Sequence, residues 1–370
     1  MTSKKKKSKI IGFVLMMILC GGLGFLIGKL GFQAGKTLPG SVVLMLGIAF
    51  IPVFFLVIGF HEAGHAMAGV WQKFDFRMYV VGPFMWDKEQ EGWKFKWNKN
   101  VNTAGGMVIC MPTGTENLKN RFSIYAAGGP VASLILAGLC YLFYLLLPTA
   151  SHIGFLFLLI AFFSLLIFVV TIIPLHMGGF TSDGGRILNL QRGGEAARFE
   201  VLMLKILSQS SGGVRPCLLD WSELEEASQL GQKLNSPFAV YIQSFFHQSA
   251  WDKGNLDLAE QHLLAYMDDS ESIPDGIRSI VWLDAAFFYA AAKNDLAKAL
   301  NYWNQFKPSA IIPKAQVFAT EAAICILENK SAEAHSKIDL AIAELPNMID
   351  RGTALALRDR LVLLRDHRLN

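Results

Sequence analysis

Four apolar runs in the first half of the chain, at approximately 10–28, 41–60, 122–147 and 153–173, are each long enough to cross a lipid bilayer. A helix rises about 1.5 Å per residue, so roughly 20 apolar residues cover the hydrocarbon, where every backbone polar group must be satisfied internally. The runs therefore predict four spanning helices, the second continuing as helix to about residue 70. From about Gln191 onward the 370-residue sequence mixes charged and apolar residues like a water-soluble domain. The expected fold is mostly α: a polytopic membrane helical bundle of four spans with a short β-rich cytoplasmic insertion, then a C-terminal all-α helical-hairpin domain. Boundaries fall at 1–40 for a basic tail and first membrane anchor, 41–190 for a membrane core and 191–370 for a cytoplasmic helical domain.

Orientation follows from Lys and Arg in short loops beside the spans. Lys4, Lys5, Lys6, Lys7 and Lys9 hold the N-terminus in the cytoplasm, and no small-residue cleavage site follows the first run, which reads as an uncleaved anchor. The first connection carries only Lys29 and Lys36 and the third, "LPTASHIG", carries neither Lys nor Arg, whereas Trp71 to Phe122 holds Lys73, Arg77, Lys88, Lys94, Lys96, Lys99, Lys119 and Arg121. Both termini are thus expected in the cytoplasm, and the lysine-rich start suits a bacterial inner membrane. Five scattered cysteines indicate neither a disulfide framework nor a thiolate zinc site. A net charge of +4, concentrated in the tail and the cytoplasmic loop, fits contact with a lipid surface better than nucleic-acid binding, and with no nucleic-acid motif in the sequence no nucleic-acid partner is expected.

The second run ends in "VFFLVIGFHEAGHAMAGV", residues 53–70. Positions i and i+4 share a helix face, so His61 and His65 aim at one point with Glu62 beside them. This is the HExxH arrangement of zinc metalloproteases, in which two neutral imidazoles bind the metal and the glutamate takes a proton from the attacking water. Ionisable groups at membrane depth are costly and usually carry function. The competing reading is two interface-level histidines bonded to neighbouring helices, with Ala63, Gly64, Ala66 and Gly69 permitting close packing.

A catalytic zinc needs a third protein ligand and an open position. The fourth run ends at "TIIPLHMGGFTSDGGRILNL", where Asp183, His176 and, further on, Glu195 are candidates. The charge-derived topology brings the end of this run to the same membrane face as His61 and His65; His152 falls on the opposite face. "SDGG" also reads as a plain helix N-cap, served by Ser182 or Asp183.

"HEAGHAMAG", "YAAGGPVASLILA" and "SDGGRIL" together resemble the site-2 protease family of intramembrane zinc metalloproteases, peptidase family M50, over about residues 41–190. The resemblance implies one Zn2+ per chain held by His61, His65 and Asp183, with Glu62 as catalytic base and Gly129-Pro130 on the intervening span. It further implies hydrolysis of peptide bonds in or next to transmembrane segments. Ser133 stands where the family often has asparagine after Gly-Pro, and the family's Asn-x-x-Pro run before Asp-Gly is absent, so no residue is assigned to stabilise the oxyanion. A PDZ module is not recognisable.

Between the second and third spans, "FDFRMYVVGPFMW" and "GWKFKWNKN" alternate with period two and "AGGMVICMPTG" is a Gly-bounded apolar strand candidate. These strands could accept an unwound substrate by strand addition or could simply cap the membrane unit and rest on headgroups through Trp93 and Trp97. In the soluble half, "GNLDLAEQHLLAY", "KNDLAKALNYW" and "NKSAEAHSKIDLAI" each set a polar turn before an amphipathic helix. Measured from Ala259, Ala297 and Ala332 the steps are 38 and 35 residues, near the tetratricopeptide length, so a repeat array or a generic bundle is expected, with a protein regulator as its partner. A membrane zinc endopeptidase acting on a membrane-protein substrate is the leading function. A catalytically silent membrane scaffold is the alternative, and a metal transporter ranks last because no second ligand cluster is visible.

Overall fold

The computed structural model describes residues 38–99, 105–148, 151–177, 180–236, 238–273, 275–309 and 311–366. The basic tail and the run at 10–28 lie outside the described residues. Among the described residues three helices are long and apolar enough to cross a membrane: α1 (Gly40–Trp71), α2 (Leu118–Leu146) and α3 (His152–Ile172). They match the second, third and fourth apolar runs, and exposed side chains such as Leu44, Ile48, Leu139 and Leu146 are apolar, as lipid-facing positions require. Pro52 and Pro130 lie inside α1 and α2, where each removes one backbone donor from the helical ladder.

The chain divides into two compact units, and the division passes through α1 between Gly64 and His65. The first unit holds α1 up to Gly64 with residues 129–186. Its packing centres on Val53 and Val57 of α1 against Phe163 of α3, with Leu136 of α2 alongside. Ser151 caps α3 by accepting from the Gly154 N–H at 3.3 Å, and α3 stops at Ile173, which Pro174 drives into the extended region. A two-strand ribbon, β5 (His176–Met177) with β6 (Phe180–Thr181), then leads into α4 (Asp183–Arg192).

The second unit holds residues 65–128 with 187 onward. Its four-stranded sheet comprises β1 (Asp75–Val81), β2 (Phe84–Glu89), β3 (Gly92–Trp97) and β4 (Met107–Met111), antiparallel throughout in the order β3-β2-β1-β4. Gly82, at φ 56°, makes the β1–β2 turn, a conformation glycine adopts without steric cost. A bulge between Phe76 and Met78 realigns β1 on β4. Met78, Val80 and Met85 bury one face of the sheet.

After α5 (Gly194–Ser211) the unit is helical: α6 (Trp221–Leu234), α7 (Ala239–Asp252), α8 (Leu256–Asp268), α9 (Asp275–Ala291), α10 (Leu296–Trp303), α11 (Lys314–Leu327), α12 (Ser331–Glu344) and α13 (Arg351–Arg365). The turns α7–α8, α9–α10 and α11–α12 share one construction. Gly254, Asn294 and Asn329 sit at positive φ, and the next residue's N–H returns to a carbonyl of the helix just ended. The alanine four residues into each following helix, Ala259, Ala299 or Ala334, is fully buried. Ala297 and Ala332 are exposed, so the repeat frame drawn through them is corrected by two residues in the second and third hairpins. The true steps are 40 and 35 residues, and this inequality does not establish a tetratricopeptide array.

Within this core Asp284 is buried and accepts a hydrogen bond from the Gln316 side chain. Burial pushes its carboxyl up to about 7, against the lowering effects of the Gln316 bond and the Arg360 charge. A carboxyl raised in the folded state contributes stability that is complete below its unfolded value of about 4 and is lost as pH rises through about 7. Thermal unfolding of the full chain, followed by far-UV circular dichroism, should therefore show a falling Tm from pH 5 to pH 8, with a shallower fall in Asp284→Asn.

Candidate metal centre

His61 and His65 stand one turn apart on uninterrupted α1, and both are buried, at 6% and 7% exposure, despite the apolar sequence around them. Each ring is fixed through Nδ1. His61 Nδ1 lies 2.9 Å from Ser133 Oγ on α2, and Ser133 is itself fully buried. Ser164 of α3 donates its hydroxyl to the Ser133 carbonyl at 2.9 Å. His65 Nδ1 lies 2.9 Å from the Tyr125 carbonyl oxygen. A carbonyl only accepts, so Nδ1 of His65 carries the proton and the neutral ring presents its lone pair at Nε2.

Ser182 and Asp183 divide the two tasks that sequence left to either of them. Ser182 caps α4: its Oγ accepts from the Gly185 N–H at 3.2 Å and the Leu175 N–H at 2.9 Å, and donates to the Ile173 carbonyl at 2.7 Å. Asp183 is thereby released as the first helical residue, and its Oδ2 lies 3.4 Å from His61 Nε2. Gly184 allows the close approach behind it, since a Cβ there would meet the Ile172 carbonyl oxygen at 1.8 Å.

One ligand atom from each of His61, His65 and Asp183 lies within 4.8 Å of the others. Two donors about 2.0–2.1 Å from a tetrahedral ion are about 3.4 Å apart, which is the separation of His61 Nε2 and Asp183 Oδ2. Two imidazoles anchored through Nδ1, plus one carboxylate, form a donor set suited to zinc, and three protein ligands leave a fourth position for water or substrate. Glu62, half-buried, occupies the position next to His61 on the same helix. The other candidates have different surroundings. Glu195 pairs with Lys233, and His152 Nε2 lies 3.0 Å from Ser41 Oγ. His176 enters the β5–β6 ribbon opposite Thr181. Sequence reasoning noted Ser133 only as a departure and had no means to find the Tyr125 carbonyl, a backbone group.

Residues 49–155 match the model of peptidase family M50. The matched stretch contains His61, Glu62, His65, Gly129, Pro130 and Ser133 and ends before Asp183. This family consists of zinc metalloproteases of membranes, and the match supports a membrane metallopeptidase of the site-2 protease kind. Neither the curated proteins nor the solved structures give a match.

Ser133→Ala should lower zinc affinity about 10–100-fold by releasing the His61 ring, as read by zinc retention across a chelator series. Gly184→Ala should lower the apparent Tm in detergent by the equivalent of about 1–3 kcal/mol. Gly138→Ala, where a Cβ meets nothing within 4 Å, should leave it unchanged.

Proposed function

We propose that this chain is an intramembrane zinc metalloendopeptidase that hydrolyses peptide bonds in or next to transmembrane segments of membrane proteins. The observation that carries the reading is the convergence of His61, His65 and Asp183, with both imidazoles tied through Nδ1. His61 and His65 through Nε2, and Asp183 through its carboxylate, would hold one Zn2+. When bound, zinc supplies a Lewis acid that polarises the scissile carbonyl and brings the acidity of a water into the neutral range.

The remaining chemistry belongs to the chain. The Tyr125 carbonyl selects the neutral tautomer of His65 that exposes Nε2, and Ser133 does the same for His61 when its hydroxyl accepts from Nδ1. Glu62 accepts the proton of the attacking water and delivers it to the leaving amine. A helical substrate hides its carbonyls in its own hydrogen bonds, so it must unwind before attack. β4 ends the sheet order and is the strand on which an unwound segment would add, replacing the lost helical bonds. Removal of Met107–Met111 with cleavage unchanged would rule out strand addition.

The reading places the chain in a bacterial inner membrane with both termini in the cytoplasm. The helical hairpins would receive a protein regulator there. Purified protein should contain about one zinc per chain, lost in His65→Ala and Asp183→Ala. Glu62→Gln should keep the metal while cleavage of a model transmembrane substrate falls by at least about 100-fold. Zinc bound with no Glu62-dependent cleavage over varied substrates would instead support a silent scaffold acting through its helical domain.

A further inference from the structure

The four-stranded sheet has two unlike faces. Alternation along β2 and β3 sends Met85, Asp87 and Glu89, with Lys94 and Lys96, to one side. There Met85 is buried, Lys96 bridges Asp87 and Glu89, and the face looks onto a cleft also lined by Leu207, Ile280 and Met348 of the helical region. The other side carries Phe84, Trp86, Trp93, Phe95 and Trp97, with Lys88 opposite Trp93. The rings of Phe84, Trp86, Phe95 and Trp97 contact one another at centroid distances of 5.3–6.4 Å, and Trp93 packs on Phe76 of β1 at 4.7 Å. All five are exposed, from 37% at Trp86 to 63% at Trp97. A contiguous aromatic plate of this kind on the solvent side of a hairpin is not an ordinary water-facing surface.

Two observations identify what covers it. First, through Phe76 and Tyr79 the plate runs across β1 to β4, where Cys110 and Val108 share its side. That end of the face is seated on the helix ends: Phe76, Val108 and Cys110 join a cluster with Leu118 and Phe122 of α2, and Cys110 Sγ would lie 2.7 Å from a Cβ at Gly69 of α1. The Tyr125 hydroxyl donates to the Val108 carbonyl, and Arg121 donates to the carbonyls of Gln72 and Thr113. The face is therefore anchored at the termini of two helices of spanning length, three residues after α1 ends. Second, the side chains are those of a membrane interface: Trp and Phe in the plate, with exposed Lys73 and Lys99 flanking β1 and β3.

We propose that the aromatic face of β2 and β3 lies on the lipid bilayer at the level of the headgroups and upper acyl chains. The sheet is thereby a peripheral anchor that fixes the end of α1, and with it the histidine turn, relative to the lipid surface. This inference depends on α1 and α2 spanning the membrane and is independent of whether the chain cuts peptide bonds.

The test uses the full chain in proteoliposomes, with a nitroxide attached to cysteine introduced singly at positions 93 to 97 and native-cysteine background taken from the unmutated protein. Labels at 93, 95 and 97 should be more accessible to lipid-soluble oxygen than to a water-soluble nickel chelate, and labels at 94 and 96 should show the reverse. Nickel access at all five positions would overturn the proposal. So would shielding of 93, 95 and 97 from both reagents, which would mean that protein covers the face. A second measurement avoids the cysteines: the share of tryptophan emission quenched by lipids brominated on the upper acyl chain should fall in Trp93→Phe with Trp97→Phe. An unchanged share would likewise refute it.

Discussion

The His65 Nδ1 bond to the Tyr125 carbonyl is the constraint on which the metal centre depends. An imidazole beside a carbonyl has one workable neutral tautomer, and that tautomer leaves Nε2 as the only ring nitrogen able to bind a cation. The acceptor is a backbone atom, so no side-chain replacement at Tyr125 removes it directly. His61 has a weaker form of the same arrangement, because a serine hydroxyl rotates and can either donate or accept. The two histidines are thus held by different means, one by the main chain of α2 and the other by a buried side chain about two turns further along it.

The carboxylate side of the centre is solved by a local division of labour. The Ser182 cap accepts from the Gly185 N–H, one of the orphan donors at the start of α4, so the neighbouring aspartate need not serve the helix that carries it. The two glycines that follow have separate uses. Gly184 admits the Ile172 carbonyl, and Gly185 supplies the N–H that Ser182 accepts.

Much of this was legible in the sequence because it rests on periodicity. The i, i+4 spacing placed His61 and His65 on one face, period-two alternation marked the strands, and the apolar runs at 41–60, 122–147 and 153–173 correspond to helices of spanning length. What escaped depends on contacts between distant segments. Ser133 was visible only as a missing asparagine, since its partner is 72 residues away. The Tyr125 carbonyl has no residue-type signature at all. In the helical half, alanines recur too often for spacing alone to choose among them, and burial selects Ala299 and Ala334 over their neighbours two positions earlier. The family match stops at 155, so the placement of Asp183 rests on the motif and on the geometry around Ser182.

The Ser164 hydroxyl, donated to the backbone of Ser133, extends the centre's dependence to a helix that contributes no ligand. Ser164 is fully buried among apolar neighbours, and alanine would suit those surroundings at least as well. Drift at that position would be felt two helices away as a loosened imidazole. Selection on the chemistry therefore reaches into the apolar interior, where an otherwise interchangeable residue is kept by what it steadies at one remove.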